Sequence, residues 1–108
     1  MDTREFSSRQ EHRIAKKLGG KVVANSGATK FNKGDVVVNN ILVECKTAVS
    51  PKESFSIKKE WLKKNKEEAF EMGLRYSMLA IDFGSADDYF IINKELAVKL
   101  VELLSEEK

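Results

Sequence analysis

Asp35, Glu44 and Lys46 are the residues of this 108-residue chain whose types and spacing could do chemistry. They frame the stretch Gly34-Asp35-Val36-Val37-Val38-Asn39-Asn40-Ile41-Leu42-Val43-Glu44-Cys45-Lys46, two β-branched runs joined at Asn39-Asn40. An Asn pair tolerates the left-handed backbone that a tight hairpin turn needs. A two-residue turn there sets Val38 against Ile41, Val37 against Leu42, Val36 against Val43 and Asp35 against Glu44. Directly opposed side chains have Cβ atoms about 4.5–5.5 Å apart, and like charges so placed destabilise the pair. Strand alternation puts Lys46 on the face of Glu44, one pleat along. A divalent cation would turn that repulsion into coordination, because Mg²⁺ takes oxygen ligands and usually only one or two protein carboxylates. The structural alternative is a solvated Glu44–Lys46 ion pair at a strand end, with Asp35 belonging merely to a Gly-Asp turn.

The elements around the hairpin must position these groups. Ser8-Arg9-Gln10-Glu11 has the spacing of a capping box, which predicts a helix over 8–18 that stops at Gly19-Gly20. Ile14 and Leu18 form its apolar stripe with Ala15 beside them, and Glu11 lies on that stripe. Glu11 is then a cap partner, an inward-facing carboxylate that requires a cation or donor, or both. His12, the only histidine, reads as a surface or packing residue. A short strand is expected over 21–25. The small, polar, basic segment 26–33 follows, an ordinary loop or a phosphate-contacting one through Ser26, Lys30 and Lys33.

After a connection over 48–54, Phe55-Ser56-Ile57 leads into a helix expected from about 58 to 72, ended by Gly73. Ile57, Trp61, Leu62, Ala69, Phe70 and Met72 supply its apolar positions. Lys58, Lys59, Lys63, Lys64 and Lys66 make its first half the most basic stretch, either a solvated face or a match for a phosphate backbone. The nearly continuous apolar run 76–83 reads as a strand buried on both faces, and 89–92 as a final strand. Asn93 is placed to cap a last helix through 104, with Leu96, Leu100, Val101, Leu103 and Leu104 apolar. The order is αβββαββα in a single domain over 1–108, an α/β fold of three layers.

Composition sets the outer limits. A hydrophobic share of 42% with 33% charged residues describes a folded globular chain. A net charge of +2 permits a polyanionic partner without requiring one. One cysteine allows neither an internal disulfide nor a multi-cysteine zinc site, which points to a reducing, cytoplasmic setting. No apolar run approaches 18 residues and the start is polar from Asp2, so neither a membrane span nor a signal peptide is expected.

The helix with Glu11, Gly34-Asp35 at a strand start and Glu44-Cys45-Lys46 on the next strand together resemble the PD-(D/E)XK nuclease superfamily. Within it, the pattern is most similar to archaeal-type Holliday-junction resolvases and their phage relatives, over most of the chain. Gly34 stands where that pattern most often has proline, and the chain is shorter than most such resolvases. The resemblance implies a restriction-endonuclease-like α/β/α fold with a mixed central sheet. It also implies a Mg²⁺-dependent DNA endonuclease, with Mn²⁺ as a substitute, that acts as a homodimer on branched DNA. Glu11, Asp35, Glu44 and the backbone carbonyl of Cys45 would be metal ligands, with the Cys45 side chain on the opposite face, buried and inert. Lys46 would orient the attacking water, and Ser26, Lys30, Lys33, Lys58, Lys59 and Lys63 would contact DNA. Cleavage of flaps, nicks or duplex, and non-catalytic DNA binding on the same fold, are the alternatives.

Overall fold

A computed structural model of the chain describes residues 3–23 and 35–107. The elements follow the expected order: α1 (Thr3–Leu18), β1 (Lys21–Val22), β2 (Asp35–Val38), β3 (Ile41–Thr47), α2 (Lys59–Glu71), β4 (Tyr76–Asp82), β5 (Asp88–Ile92) and α3 (Lys94–Ser105). The strands form one five-stranded mixed sheet in sequential order. Every pair is antiparallel except β3 with β4, which run parallel because α2 intervenes as the crossover. Among the described residues no helix is long and apolar enough to cross a membrane.

The hairpin has the register read from its turn. Asn39 takes a φ of 52°, and Asp35 pairs with Glu44, Val36 with Val43, Val37 with Leu42 and Val38 with Ile41. Alternation then divides the sheet into two chemically different faces. Val36, Val38, Val43 and Ala80 pack with Ile14 and Ala15 of α1, and Val22, Ile41, Cys45 and Met78 close the margin of that core. The opposite face carries Asp35, Leu42, Glu44, Lys46, Leu79 and Ile81 and is covered across β3 and β4 by α2. Leu42, Leu79 and Ile81 are fully buried there, together with Ala69 of α2. The run over 76–83 is thus buried on both faces, as its sequence implies.

Three local expectations need correction. The first helix starts at Thr3, so Ser8 sits inside it and makes no cap. Its carbonyl is 2.8 Å from His12 Nδ1 on the exposed side of the helix. A capping pattern opens a helix only where the upstream chain leaves helical geometry, and here residues 3–7 continue the helix. The second correction concerns α2, whose sheet-facing stripe runs through half-buried Trp61, then Asn65, Glu68 and Ala69, to Met72, while Phe70 is 82% exposed. Third, α3 has no buried residue despite its apolar composition. Its cap is as expected, with Asn93 Oδ1 accepting from Leu96 N–H at 3.0 Å.

Two glycines shape the approach to the site. Gly73 closes α2 at φ +76°, and Leu74 N–H donates to the Ala69 carbonyl at 2.8 Å. Gly20 follows α1 directly against β2, where an added Cβ would collide with Val38 Cγ2 and the Val37 carbonyl. The expected strand over 21–25 is described for Lys21 and Val22; residues 24–34, including Ser26, Lys30, Lys33 and Gly34, lie outside the described residues.

Candidate active site

Asp35 begins β2 and Glu44 lies midway along β3, and their pairing buries both carboxylates under α2, at 1% and 4% exposure. Neither oxygen of Asp35 has a hydrogen-bond partner among the described residues. Burial therefore pushes the Asp35 carboxyl up to about 8; the charges of Glu44, Glu68 and Glu11 push the same way, against a smaller opposing effect of Lys46. Two residues along β3, Lys46 Nζ stands 3.5 Å from Glu44 Oε2 and 4.3 Å from the centre of the Trp61 ring. Trp61 thereby holds the ammonium by a cation–π contact on the face of the two acids. Lys58 approaches the same ring at 5.9 Å.

The sheet contains an internal control for this arrangement. Asp82 and Asp88 are also directly opposed, on β4 and β5. Here the chain supplies the compensation. Arg13 donates to Asp88 through Nε and Nη2 at 2.7 Å each, and through Nη2 to Asp82 at 3.1 Å. Asp82 Oδ1 also accepts from the N–H groups of Gly84, Ser85 and Ala86 at 2.8–3.0 Å. Burial alone would raise the Asp82 carboxyl, but these N–H groups and Arg13 hold it below the usual carboxylate range. One opposed pair is saturated with donors. In the other, Asp35 has none among the described residues.

Glu11 lies on α1, the helix of the opposite layer, and is 8% exposed. Burial raises its carboxyl, with His12 lowering it, and its charge reaches both Asp35 and Cys45. It borders the β2–β3 pair from the α1 side of the sheet. The Cys45 side chain is half-buried at the edge of the α1-side core, and burial first, then Glu11 and Asp35, pushes its thiol well up. A thiol so shifted is a poor nucleophile, as its alternation with Glu44 suggests. Lys58, Lys59 and Lys63 are exposed along the first half of α2 and its start. Among the described residues no three His, Cys, Asp or Glu side chains stand together closely enough to hold a metal ion.

Three buried polar residues around the pair went unread in the sequence. Glu68, 4% exposed on α2, carries a charge that Asp35 feels directly after that of Glu44. Asn65, one turn earlier, donates through Nδ2 to the Met78 carbonyl at 3.0 Å and so ties α2 to β4. The two fall four and seven residues after Trp61, which is the signal that would have found them. Gln10 is fully buried on α1, its Nε2 3.1 Å from the Lys46 carbonyl, 3.2 Å from that of Ala80 and 3.3 Å from Asp88 Oδ1. It pins the backbone of the residue that presents the ammonium. Compared with family models, with curated proteins and with solved structures, the chain matches none.

Proposed function

We propose that the chain is a metal-dependent DNA endonuclease of the PD-(D/E)XK type, with a restriction-endonuclease-like arrangement of its layers, that resolves four-way junctions as a homodimer. One observation carries this reading. Of the two opposed carboxylate pairs among the described residues, the one saturated by Arg13 is structural, whereas the buried Asp35 oxygens, opposite Glu44, have no donor among those residues. A buried carboxylate in that position gains stability from a cation or a proton. Mg²⁺ suits the donor set, since it takes one or two carboxylates and keeps several waters. Asp35 and Glu44 would hold it, with Glu11 and the Cys45 carbonyl as the additional ligands that the resemblance implies, and Mn²⁺ as a substitute.

Such an ion, when bound, supplies an activated water and a sink for charge on the phosphate and leaving oxygen. The chain's own groups do the rest. Lys46, 3.5 Å from Glu44 and braced on Trp61, directs its ammonium to the space beside the acids. From there it orients an attacking water and offsets negative charge on the phosphate. Gln10 fixes the Lys46 carbonyl and with it the end of β3. Exposed Lys58, Lys59 and Lys63 provide phosphate contacts that track the DNA backbone. Ser26, Lys30 and Lys33 take the same role on the sequence reading.

The homodimer draws its support from α3. Val98, Leu100, Val101, Leu103 and Leu104 are between 47% and 63% exposed, an apolar helix without a cover among the described residues. A two-fold pairing of two copies through this helix would cover that apolar face. Two sites related by a two-fold axis match the two scissile strands of a junction.

The test is cleavage of a four-way junction beside a matched linear duplex, with and without Mg²⁺, for wild type and Asp35→Asn. Mg²⁺-dependent, junction-preferring cleavage that disappears in the variant is expected. Equal cutting of the duplex would remove the junction preference, and unchanged activity in Asp35→Asn would overturn the site.

A further inference from the structure

Beside the acids, on the same face of the sheet, β4 and β5 carry a feature that the nuclease reading leaves unused. Lys46 pairs with Ile81 and Ile81 with Tyr89, so a single row across three strands leads from the ammonium to an aromatic ring. Adjacent strands lie about 4.7–4.9 Å apart, which places the nearer wall one strand from Lys46. Phe55, Ile57, Ile81, Phe83, Tyr89 and Ile91 line a groove there of about 430 Å³, a volume in the range of ligand clefts. Its rings are braced edge to face: Phe55 on Phe83 at 6.0 Å and Phe83 on Tyr89 at 5.8 Å. Tyr89 nevertheless remains 56% exposed. A buried floor with an open ring above it is a stacking platform rather than a closed core.

The charges around the groove suit a polyanion. Lys46 sits at one end of the row, Lys58 directly follows Ile57, and Lys52 is anchored beside Phe83 by its N–H to the Phe83 carbonyl at 2.9 Å. Asp87, 3.4 Å from the Tyr89 hydroxyl, is an acid at the rim, and Glu53 lies between Lys52 and Phe55 in the chain. Aromatic platforms flanked by lysines are the combination that holds unpaired nucleic acid, because every base has a face to stack and every nucleotide a phosphate to neutralise.

We propose that this groove receives one unstacked nucleobase of the DNA strand whose phosphate lies at the Asp35–Glu44 site, so that the chain selects branched or locally unpaired DNA. The proposal rests on the nuclease reading of that site. A paired base cannot enter without leaving its stack, and the cost of leaving is smallest where a branch has already interrupted stacking. Shape preference thus comes from a single side-chain platform and requires no contact with base edges.

The experiment measures binding without cleavage, by fluorescence anisotropy of the full chain in chelator. Its probes are a four-way junction, a duplex with a single-stranded flap, and a fully paired duplex. Tyr89→Leu keeps an apolar side chain but no ring, and Tyr89→Phe keeps the ring. Tyr89→Leu is expected to weaken junction and flap binding by roughly 5- to 150-fold, the range carried by one base–aromatic stack. Duplex binding should change by less than about twofold with the same salt slope, since every phosphate-binding lysine is retained, and Tyr89→Phe should bind all three as wild type does. Equal losses on all three DNAs, or none, would overturn the groove. So would a change in oligomeric state without a change in DNA preference, which would assign the groove to a second copy's α3. Should wild type bind no DNA in any form, the nuclease reading falls with it. Should wild type cleave, with Asp35→Asn inactive, while Tyr89→Leu keeps full discrimination, only the groove falls.

Discussion

On the proposed metal reading, proton and cation compete for the buried Asp35 carboxylate, and the competition has a measurable size. Its carboxyl moves from 3.8 to about 8 in the folded chain, first through burial and then through the charges of Glu44, Glu68 and Glu11. Between those two values the folded state holds a proton on Asp35 that the unfolded state has released. Metal-free stability must therefore fall as pH rises across that window and level off above about pH 8. At about 1.4 kcal/mol per unit, the four-unit shift amounts to a decline on the order of 5 kcal/mol, comparable to the total stability of many small domains. Asp35→Asn removes the titrating group, so its metal-free stability should lack this decline and exceed that of wild type most at pH 8 and above. Urea denaturation of both proteins at pH 5, 7 and 9 gives the comparison. The same proton must leave when a divalent cation binds, so apparent Mg²⁺ affinity should rise about tenfold per pH unit below pH 8. Calorimetric titration in buffers of different ionisation heat should count close to one proton released per ion at pH 6.5. Parallel stability profiles for wild type and Asp35→Asn, together with no proton release, would refute the reasoning.

Further perturbations isolate the other parts. Glu11→Gln should lower the cleavage rate by orders of magnitude at low Mg²⁺, with partial recovery at high Mg²⁺ or with Mn²⁺, and leave the metal-free melting temperature at or above wild type; wild-type rates across the titration would remove Glu11 from the ligand set. Neutral replacement of Lys58, Lys59 and Lys63 together should weaken binding to every DNA shape and reduce the salt slope by about 0.9 for each phosphate no longer neutralised; an unchanged slope would return that face of α2 to solvent. Leu100→Glu with Leu104→Glu should convert a dimer to a monomer in sedimentation analysis without lowering the melting temperature of the protomer, because both positions are about half exposed; a dimer that persists would move the interface away from α3.

The hairpin was legible because its signals are local and agree with one another. Asn39-Asn40 fixes the turn, the β-branched runs fix the strands, and a one-residue slip would turn Val36 and Val43 away from α1. The pairing of Asp35 with Glu44 follows from that register alone. The start of α1 was not legible, since Ser8 and Glu11 have the spacing of a cap wherever they stand, and only the geometry of the preceding residues decides whether the pattern is used. With the cap gone, Glu11 loses its local explanation and is left as a buried carboxylate near β2 and β3. The apolar positions of α3 were legible, but sequence alone does not say what, if anything, covers them.

The α2 stripe shows why the remainder of the site was hidden. Hydrophobicity singles out Leu62 and Phe70, of which Phe70 is 82% exposed and Leu62 only partly covered, at the margin of the sheet-facing stripe. The positions that face the sheet are Trp61, Asn65, Glu68 and Ala69, where polar groups replace the expected core because the surface beneath them is itself charged. Asn65 meets the Met78 carbonyl, Trp61 meets Lys46, and Glu68 adds its charge to that of the Asp35–Glu44 pair. A helix that covers a site must match its chemistry, so its pattern departs from the amphipathic rule at the residues that matter most. The stability this forfeits is offset on the other face, where Ile14, Val36, Val38, Val43 and Ala80 form the dry half of the core. Both faces of the sheet thus hold apolar side chains and bury charge. They differ in that Asp82 and Asp88, on the α1 face, are neutralised by Arg13, while Asp35, on the α2 face, has no donor among the described residues.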